Sequence, residues 1–305
     1  MEFNEKKEKL LKQLSQASGI DFEIKDSSLS DDATLDKLSE ILAHFNSADS
    51  KINFLKSYLS GEINYSDASP MLHRYHYNEA GVYQLFYLKC STEYTKESVS
   101  LIKSLLMNAS DTVLEMDANH ILVLICFDDL PAEDEVKGYA SQLQDMLATE
   151  TYTAYKVAYD KPCHSFKDLQ SSYKSTLMSM NIGEIFLSAE RLYYFPELGL
   201  GRLLYNVPLA ECTAYLDNYI PVSMLSSLDE ETLNTLSAFF ECDLSLAETS
   251  RALFVHRNTL IYRLDKFKEL TGLDPRKFSD AITIKISLML YEYLKSLSHK
   301  IKAEL

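Results

Sequence analysis

Residues 244–272 have the sequence LSLAETSRALFVHRNTLIYRLDKFKELTG, and this stretch decides the fold of the C-terminal part of the chain. Ser245 opens a Ser-Leu-Ala-Glu capping box, a pattern that starts a helix. Phe254-Val255 predicts a turn, and a second helix is expected from His256 to the stop signal at Gly272. Two short helices joined by a tight turn predict a helix-turn-helix.

The second predicted helix has one apolar and one polar face. At about 100° per residue, three apolar residues share the inner face: Leu260, Leu264 and Phe267. The outward residues are then Asn258, Tyr262 and Lys266, with Arg257 and Thr259 at the flanks. A recognition helix meets base edges with its N-terminal residues, and Asn and Arg suit adenine and guanine. These residues suit double-stranded DNA, but helix-turn-helix geometry is also common in proteins that do not bind DNA, and the spacing alone leaves both interpretations open. Arg263 lies nearer the inner face and could form an internal ion pair.

The charge of the chain is unevenly distributed. A net charge of −15 and a pI of about 4.9 argue, for the chain as a whole, against a nucleic-acid-binding protein. Residues 245–278, however, contain seven Lys or Arg against four Asp or Glu, which gives +3. A small, locally basic segment can therefore approach DNA although the bulk of the protein is acidic.

The remaining sequence predicts an α+β multidomain protein. Residues 1–70 are polar with helical periodicity, as expected of a helical packing or dimer element. Residues 71–204 show the element order β-α-β-β-α-β-α-β, which predicts a ferredoxin-like or cyclase-like α/β sandwich. Residues 205–228 are expected to form a linker helix, and residues 229–305 an all-α helix-turn-helix domain.

Composition argues against several classes of protein. The five cysteines show no CxxC spacing, so neither a disulfide framework nor a zinc site is expected. The first 14 residues are charged and lack an apolar signal core, and no run of about 18 apolar residues occurs. We therefore expect a cytoplasmic protein with no membrane partner, no metal site and no cofactor.

Three possible chemical sites are not expected to be functional. Residues 116–120 form a predicted hairpin turn that lacks the Gly-Gly pair of a diguanylate cyclase, so Asp117 is interpreted as a turn residue. His73 and His76 have no further metal ligand at suitable spacing. Cys163-His164 has no third orienting group, so Cys163 is interpreted as structural. No enzyme activity is expected.

A resemblance to a known family adds to these predictions. The segment LFVHRNTLIYRLDKFKELTGLDP, residues 253–275, closely resembles the C-terminal helix-turn-helix of the PucR/CdaR family of bacterial transcriptional regulators. The similarity extends over residues 229–297. The segment LYYFPELGLGRLLYN, residues 192–206, resembles part of the degenerate GGDEF-like domain that precedes this helix-turn-helix in the family. Residues 1–70 match neither the sugar-diacid recognition domain nor the purine-regulator domain.

The resemblance implies roles for particular residues and for the whole chain. It assigns DNA contacts to Arg257, Asn258, Thr259, Tyr262 and Arg263, with His256 as a helix cap; Lys266 joins them from the periodicity. The expected function is sequence-specific regulation of transcription by a homodimer that responds to an unidentified signal, for which a small-molecule effector is one candidate. Two alternatives stay open: a cyclase-like nucleotide-binding protein, and a protein-interaction module that does not bind DNA.

Overall fold

The computed structural model describes residues 2–18, 30–45 and 48–303, and the chain divides into two compact units. The first comprises Met1–Gly183 and Ala189–Leu198, and the second comprises Glu184–Ser188 and Gly199–Leu305. The described residues contain helices and one mixed five-stranded sheet, and their C-terminal region is helical. The predicted α+β class is therefore confirmed.

The first unit begins with helices, as predicted for residues 1–70. They are α1 (Glu2–Ser18), α2 (Asp31–Phe45), α3 (Ala48–Ser60) and α4 (Tyr65–Ala68). The sequence SSLSDD, residues 27–32, predicts a turn or linker; residues 27–29 lie outside the described residues, and Asp31 and Asp32 begin α2. Helix α3 buries four side chains in the first unit: Phe54, Leu55, Tyr58 and Leu59. The Tyr58 hydroxyl donates to the carbonyl oxygens of Phe166 and Lys167, which ties α3 to the α/β region.

The sheet and its helices follow in the predicted order. The elements are β1 (Val82–Cys90), α5 (Lys96–Leu105), β2 (Thr112–Glu115), β3 (His120–Phe127), α6 (Glu133–Thr151), β4 (Tyr155–Tyr159), α7 (Leu169–Phe186) and β5 (Leu192–Tyr194). The strand order is β2-β3-β1-β4-β5. Strand β1 pairs antiparallel with β3 and β4, while β5 pairs parallel with β4.

Successive side chains of β1 point to opposite faces of the sheet, and both faces are covered. Phe86, Leu88 and Cys90 face a core completed by apolar residues of α5 and α6. On α7, Gly183 lies against the Tyr193 ring of β5; a Cβ built on Gly183 would lie 2.2 Å from the ring atom Cγ. Helix α7 approaches Tyr193 this closely because Gly183 has no side chain. The sequence predicts a helix over residues 165–182 that Ser165 caps; this cap is wrong, because a 3₁₀ turn, Phe166–Asp168, precedes α7 and the Ser165 side chain caps no backbone N–H.

The second unit is a helical bundle. Its helices are α8 (Gly199–Leu204), α9 (Leu209–Tyr219), α10 (Val222–Leu225), α11 (Glu230–Glu241), α12 (Leu246–Ala252), α13 (Arg257–Thr271) and α14 (Phe278–Ala303). Residues 205–228, predicted as a linker, contain α9 and α10. These two helices and the turn between them add buried residues to the core that α11, α13 and α14 share: Cys212, Leu216, Ile220 and Leu225.

Candidate nucleic-acid interface

Three capped helices build the site. The Asp229 carboxylate accepts from the backbone N–H of Thr232 at 2.7 Å and starts α11. Ser245 Oγ accepts from the N–H of Glu248 at 3.4 Å and starts α12, as the capping box predicts. His256 Nδ1 accepts from the N–H of Asn258 at 3.2 Å and starts α13. Each cap satisfies a backbone donor that the first turn of a helix leaves without a partner.

Helix α13 is oriented by its apolar face. Leu260 and Leu264 are fully buried and Phe267 is 1% exposed, so the predicted inner face is the one that packs. The helix ends at Gly272, whose φ of 78° places it in the left-handed region that suits glycine. The periodicity and the stop signal therefore predicted both the orientation and the end of this helix.

The opposite face of α13 presents the predicted contact residues to solvent. Four consecutive residues at the helix start are exposed: His256, Arg257, Asn258 and Thr259. One and two turns further on, Tyr262 is 67% exposed and Lys266 is also exposed. The first turn of α13 contains no acidic residue. Its backbone N–H groups and the Arg257 guanidinium therefore combine into a locally positive helix end that favours phosphate.

Arg263 lies in a different environment from the other predicted contact residues. Its side chain is only 15% exposed. The guanidinium donates to Thr235 Oγ1 at 3.1 Å and forms an ion pair with Glu231, both on α11. Arg263 therefore links α11 to α13, which is the alternative that its position near the inner face suggested.

A second ionic cluster holds the C-terminal half of α13. Arg276 donates from Nε to Asp274 Oδ1 at 2.8 Å and from Nη2 to Asp265 Oδ1 at 2.7 Å. Lys268 Nζ lies 3.1 Å from Asp274 Oδ2. Hydrogen bonding to Arg276 holds the pKa of the Asp274 carboxyl well below its usual range. The loop that follows α13 is thereby bound back onto the helix.

The sequence did not indicate two of these features. The role of Arg276 depends on a loop that folds back on α13, and its only local signal is the preceding Asp-Pro pair. Phe254 was assigned only to a turn, yet its side chain is 96% exposed with a φ of 54°. The sequence signal that could have drawn attention to Phe254 is the presence of an aromatic residue in the turn of a helix-turn-helix.

The chemical sites that the sequence set aside show structural roles. The Asp117 carboxylate accepts from the backbone N–H groups of Asn119 and His120 and contacts the His120 ring, so it is bound into its own hairpin turn. Burial raises the pKa of the Cys163 thiol to about 12, which keeps it protonated at neutral pH. Across residues 2–18, 30–45 and 48–303, no three His, Cys, Asp or Glu side chains are grouped as a metal site would require.

Among the residues that the structure describes, no helix combines the length and the apolar character needed to cross a bilayer.

Comparison with known proteins identifies the C-terminal region. Residues 232–290 match the family model of the PucR C-terminal helix-turn-helix domain. The chain is 35% identical to the Carbohydrate diacid regulator of Escherichia coli (strain K12) over 123 residues, which cover 40% of this chain and 31% of that protein. It is 21% identical to the Purine catabolism regulatory protein of Bacillus subtilis (strain 168) over 154 residues, or 50% and 29% of the two chains.

A third relative is named as an activator of transcription. The Proline-responsive transcriptional activator PutR of Bacillus subtilis (strain 168) is 24% identical over 188 residues, or 58% of this chain and 45% of that protein. Each of the three matches thus spans less than half the length of the relative. The segment 232–290 is similar to the PucR-type helix-turn-helix domain, and the resemblance of this chain to PucR/CdaR-type regulators is confirmed.

Proposed function

We propose that this chain is a cytoplasmic, homodimeric, sequence-specific DNA-binding regulator of transcription, in which the start of α13 reads base edges in the major groove. One observation carries the proposal: the first turn of a buried, capped helix exposes Arg257, Asn258 and Thr259 and contains no acidic residue. Arg can donate two hydrogen bonds to guanine, and Asn can pair with adenine in the same way. The three relatives, each named as a regulator or activator, support the same function.

The proposed contact residues divide into two groups. Arg257, Asn258 and Thr259 are assigned to bases or phosphates, with Tyr262 alongside them and His256 as the cap that orients the first turn. Lys266 is exposed and lies 3.8 Å from the exposed Asp229 carboxylate, a pair weak enough in water for Lys266 to turn to a phosphate. Arg263 is assigned to the α11–α13 link rather than to DNA, because its guanidinium is bound by Glu231 and Thr235.

The proposed domain layout places the signal-responsive part before the DNA-binding part. Residues 71–204 are proposed as a degenerate GGDEF-like domain, in keeping with the β-α-β-β-α-β order of the sheet. Residues 1–70 form a helical region, residues 205–228 connect the parts, and residues 229–305 form the DNA-binding domain. Two copies would bind paired half-sites about one helical turn apart, and an effector would change DNA affinity by favouring one arrangement of the copies.

Selection of bound duplexes from a random DNA pool at near-physiological salt tests the proposal. The wild-type protein is compared with an Arg257→Ala/Asn258→Ala double variant and with Asn234→Ala/Lys285→Ala. The control pair removes the same kinds of side chain, an amide and a cation, from exposed positions on α11 and α14. We expect the wild type and the control to enrich one motif with two half-sites.

Two losses of affinity of about 1–3 kcal/mol each should abolish that enrichment in the recognition-helix variant. A wild-type protein that enriches no motif, with its effector absent or present, contradicts DNA reading. Product formed from GTP and magnesium would instead support the cyclase-like alternative. Enrichment that survives in the Arg257→Ala/Asn258→Ala variant would place the recognition surface elsewhere.

A further inference from the structure

The turn between α12 and α13 has the hydrogen bonds of a common helix C-terminal motif, but a phenylalanine occupies its left-handed position. The backbone N–H of Phe254 donates to the Arg251 carbonyl at 3.2 Å, and the N–H of Val255 donates to the Ser250 carbonyl at 3.1 Å. This pair of hydrogen bonds is the Schellman motif, which requires a left-handed residue directly after the helix cap. Phe254 occupies that position with a φ of 54°.

The turn does not need a phenylalanine for its own geometry. Glycine adopts left-handed φ values without steric cost, and asparagine adopts them more readily than other residues. The chain itself uses Gly272 for the same purpose at the end of α13. The ring is also 96% exposed, so hydrophobic burial within this chain does not compensate for the backbone conformation.

Phe254 lies next to the residues that are proposed to contact DNA. Phe254 lies two residues before the His256 cap, on the solvent side of the turn, whereas its neighbour Val255 packs against the core of the second unit. The exposed residues Arg257 and Asn258 follow at once. In the proposed function, the exposed face of α13 lies in the major groove, and the Phe254 side chain is at the edge of that face.

We propose that Phe254 is a specificity-determining residue that contacts the C5 methyl group of a thymine in each half-site. This inference rests on the proposed function, because it requires α13 to be the recognition helix. The chemistry follows from the two partners: the thymine methyl is the apolar group that the major groove displays, and aromatic carbons can bury it. Left-handed backbone at a non-glycine residue is tolerated where function demands a particular side chain.

Removal of single methyl groups from the DNA tests the proposal. The duplex enriched by the wild-type protein is synthesised with deoxyuridine in place of one thymine at a time, which deletes the methyl and leaves the base pair intact. We expect one position in each half-site at which wild-type affinity falls about four-fold, the contribution of one buried methyl group. In Phe254→Gly the affinities for the thymine and uracil duplexes should become equal at that position.

Tyr152 supplies a matched control, because it also follows a helix, has a φ of 52° and is 94% exposed, but lies in the first unit. Tyr152→Gly relieves the same backbone conformation and should keep the wild-type sensitivity to methyl removal. Phe254→Asn, which also suits the left-handed turn, repeats the measurement in case the glycine variant folds poorly.

The outcomes separate this inference from the proposed function. A wild-type protein that selects no sequence contradicts both. A wild-type protein that selects a motif but is insensitive to methyl removal at every thymine overturns only the role of Phe254. Sensitivity that persists unchanged in Phe254→Gly and Phe254→Asn also overturns it, since another residue then contacts the methyl. Variants that keep wild-type methyl discrimination but lose transcriptional output would assign the ring to a protein partner instead.

Discussion

The two halves of α13 differ in what their polar side chains contact. In residues 257–262, the exposed side chains of Arg257, Asn258 and Thr259 form no ion pair or hydrogen bond within residues 2–18, 30–45 and 48–303. In residues 263–271, three charged side chains pair with groups on α11 or on the loop after α13: Arg263, Asp265 and Lys268. One half of the helix is thus held by the protein itself, while the other is left available for a partner.

A short helix can therefore be fixed in position by the rest of the protein and still keep polar groups free to bind a partner. Ionic contacts of the C-terminal half and the buried Leu260, Leu264 and Phe267 set the position of the helix. Groups of the N-terminal half are then presented in a fixed direction with their hydrogen-bonding capacity unused. Changes to Arg257, Asn258 or Thr259 should therefore alter DNA binding without altering stability, and changes to Arg263, Asp265 or Lys268 should do the reverse.

The largest effect is expected in the N-terminal half. Asn258→Ala removes a side chain that can pair with adenine and should weaken half-site binding by about 1–3 kcal/mol while relaxing specificity at one base pair. The free energy of unfolding should stay within about 0.5 kcal/mol of the wild type, because the side chain is exposed. Titration of duplexes substituted at each base pair measures the first quantity. Unchanged specificity at every base pair would contradict the proposed base contact of Asn258.

A somewhat smaller effect is expected from the ionic cluster of the C-terminal half. Asp274→Asn replaces a carboxylate that accepts charge-assisted hydrogen bonds from Arg276, and should destabilise the second unit by about 2 kcal/mol at pH 7. The urea transition of that unit, followed by the amide NMR signals of α13, gives the value. Asp217→Asn, at an exposed position of α9, is the control and should have little effect.

The pH dependence of that effect follows from the lowered pKa of Asp274. A depressed native pKa means that the stabilisation is complete above the ordinary carboxyl pKa of about 3.9 and is lost as the pH falls toward the native value. The difference between wild type and Asp274→Asn should therefore shrink as the pH is lowered below about 4. A difference that is constant from pH 7 to pH 3 would show that the ion pairs do not supply the stability.

The smallest effect is expected from the link between α11 and α13. Glu231→Gln removes the charge that pairs with Arg263, but Glu231 is 68% exposed, so water screens the pair. We expect a loss of about 0.5 kcal/mol in stability and no change in the selected DNA motif. Arg263→Lys should behave similarly. A changed base preference in Arg263→Lys, with the preference of Glu231→Gln unaltered, would move Arg263 into the group of base-contacting residues.

Local sequence patterns predicted the helix-turn-helix well because interactions between residues close together in the sequence determine it. The cap at Ser245, the apolar spacing of Leu260, Leu264 and Phe267, and the stop at Gly272 each involve residues within a few positions of one another. The same holds for β1, where nine consecutive and mostly apolar residues form the central strand. The exposure of Asn258 and Tyr262 also followed from helical periodicity alone.

Features that depend on distant parts of the chain were not predictable in this way. Arg276 contacts Asp265 only because the loop after Gly272 folds back on α13. Helix α9 contributes Cys212 and Leu216 to the C-terminal core, although its sequence suggested a linker, since nothing local shows which face will meet α14. The exposure of Phe254 was equally hidden, because an apolar residue in a turn is ordinarily expected to pack.

The caps at both ends of α13 have a consequence for the thermodynamics of any complex. His256 and Gly272 complete the helix before a partner arrives, so its backbone is already ordered in the free protein. Ordering a residue costs about 1–2 kcal/mol in conformational entropy, and here folding bears that cost rather than association. DNA binding by this helix should then lack the large negative heat-capacity change of coupled folding and binding, and its calorimetric signature should resemble the docking of two preformed surfaces.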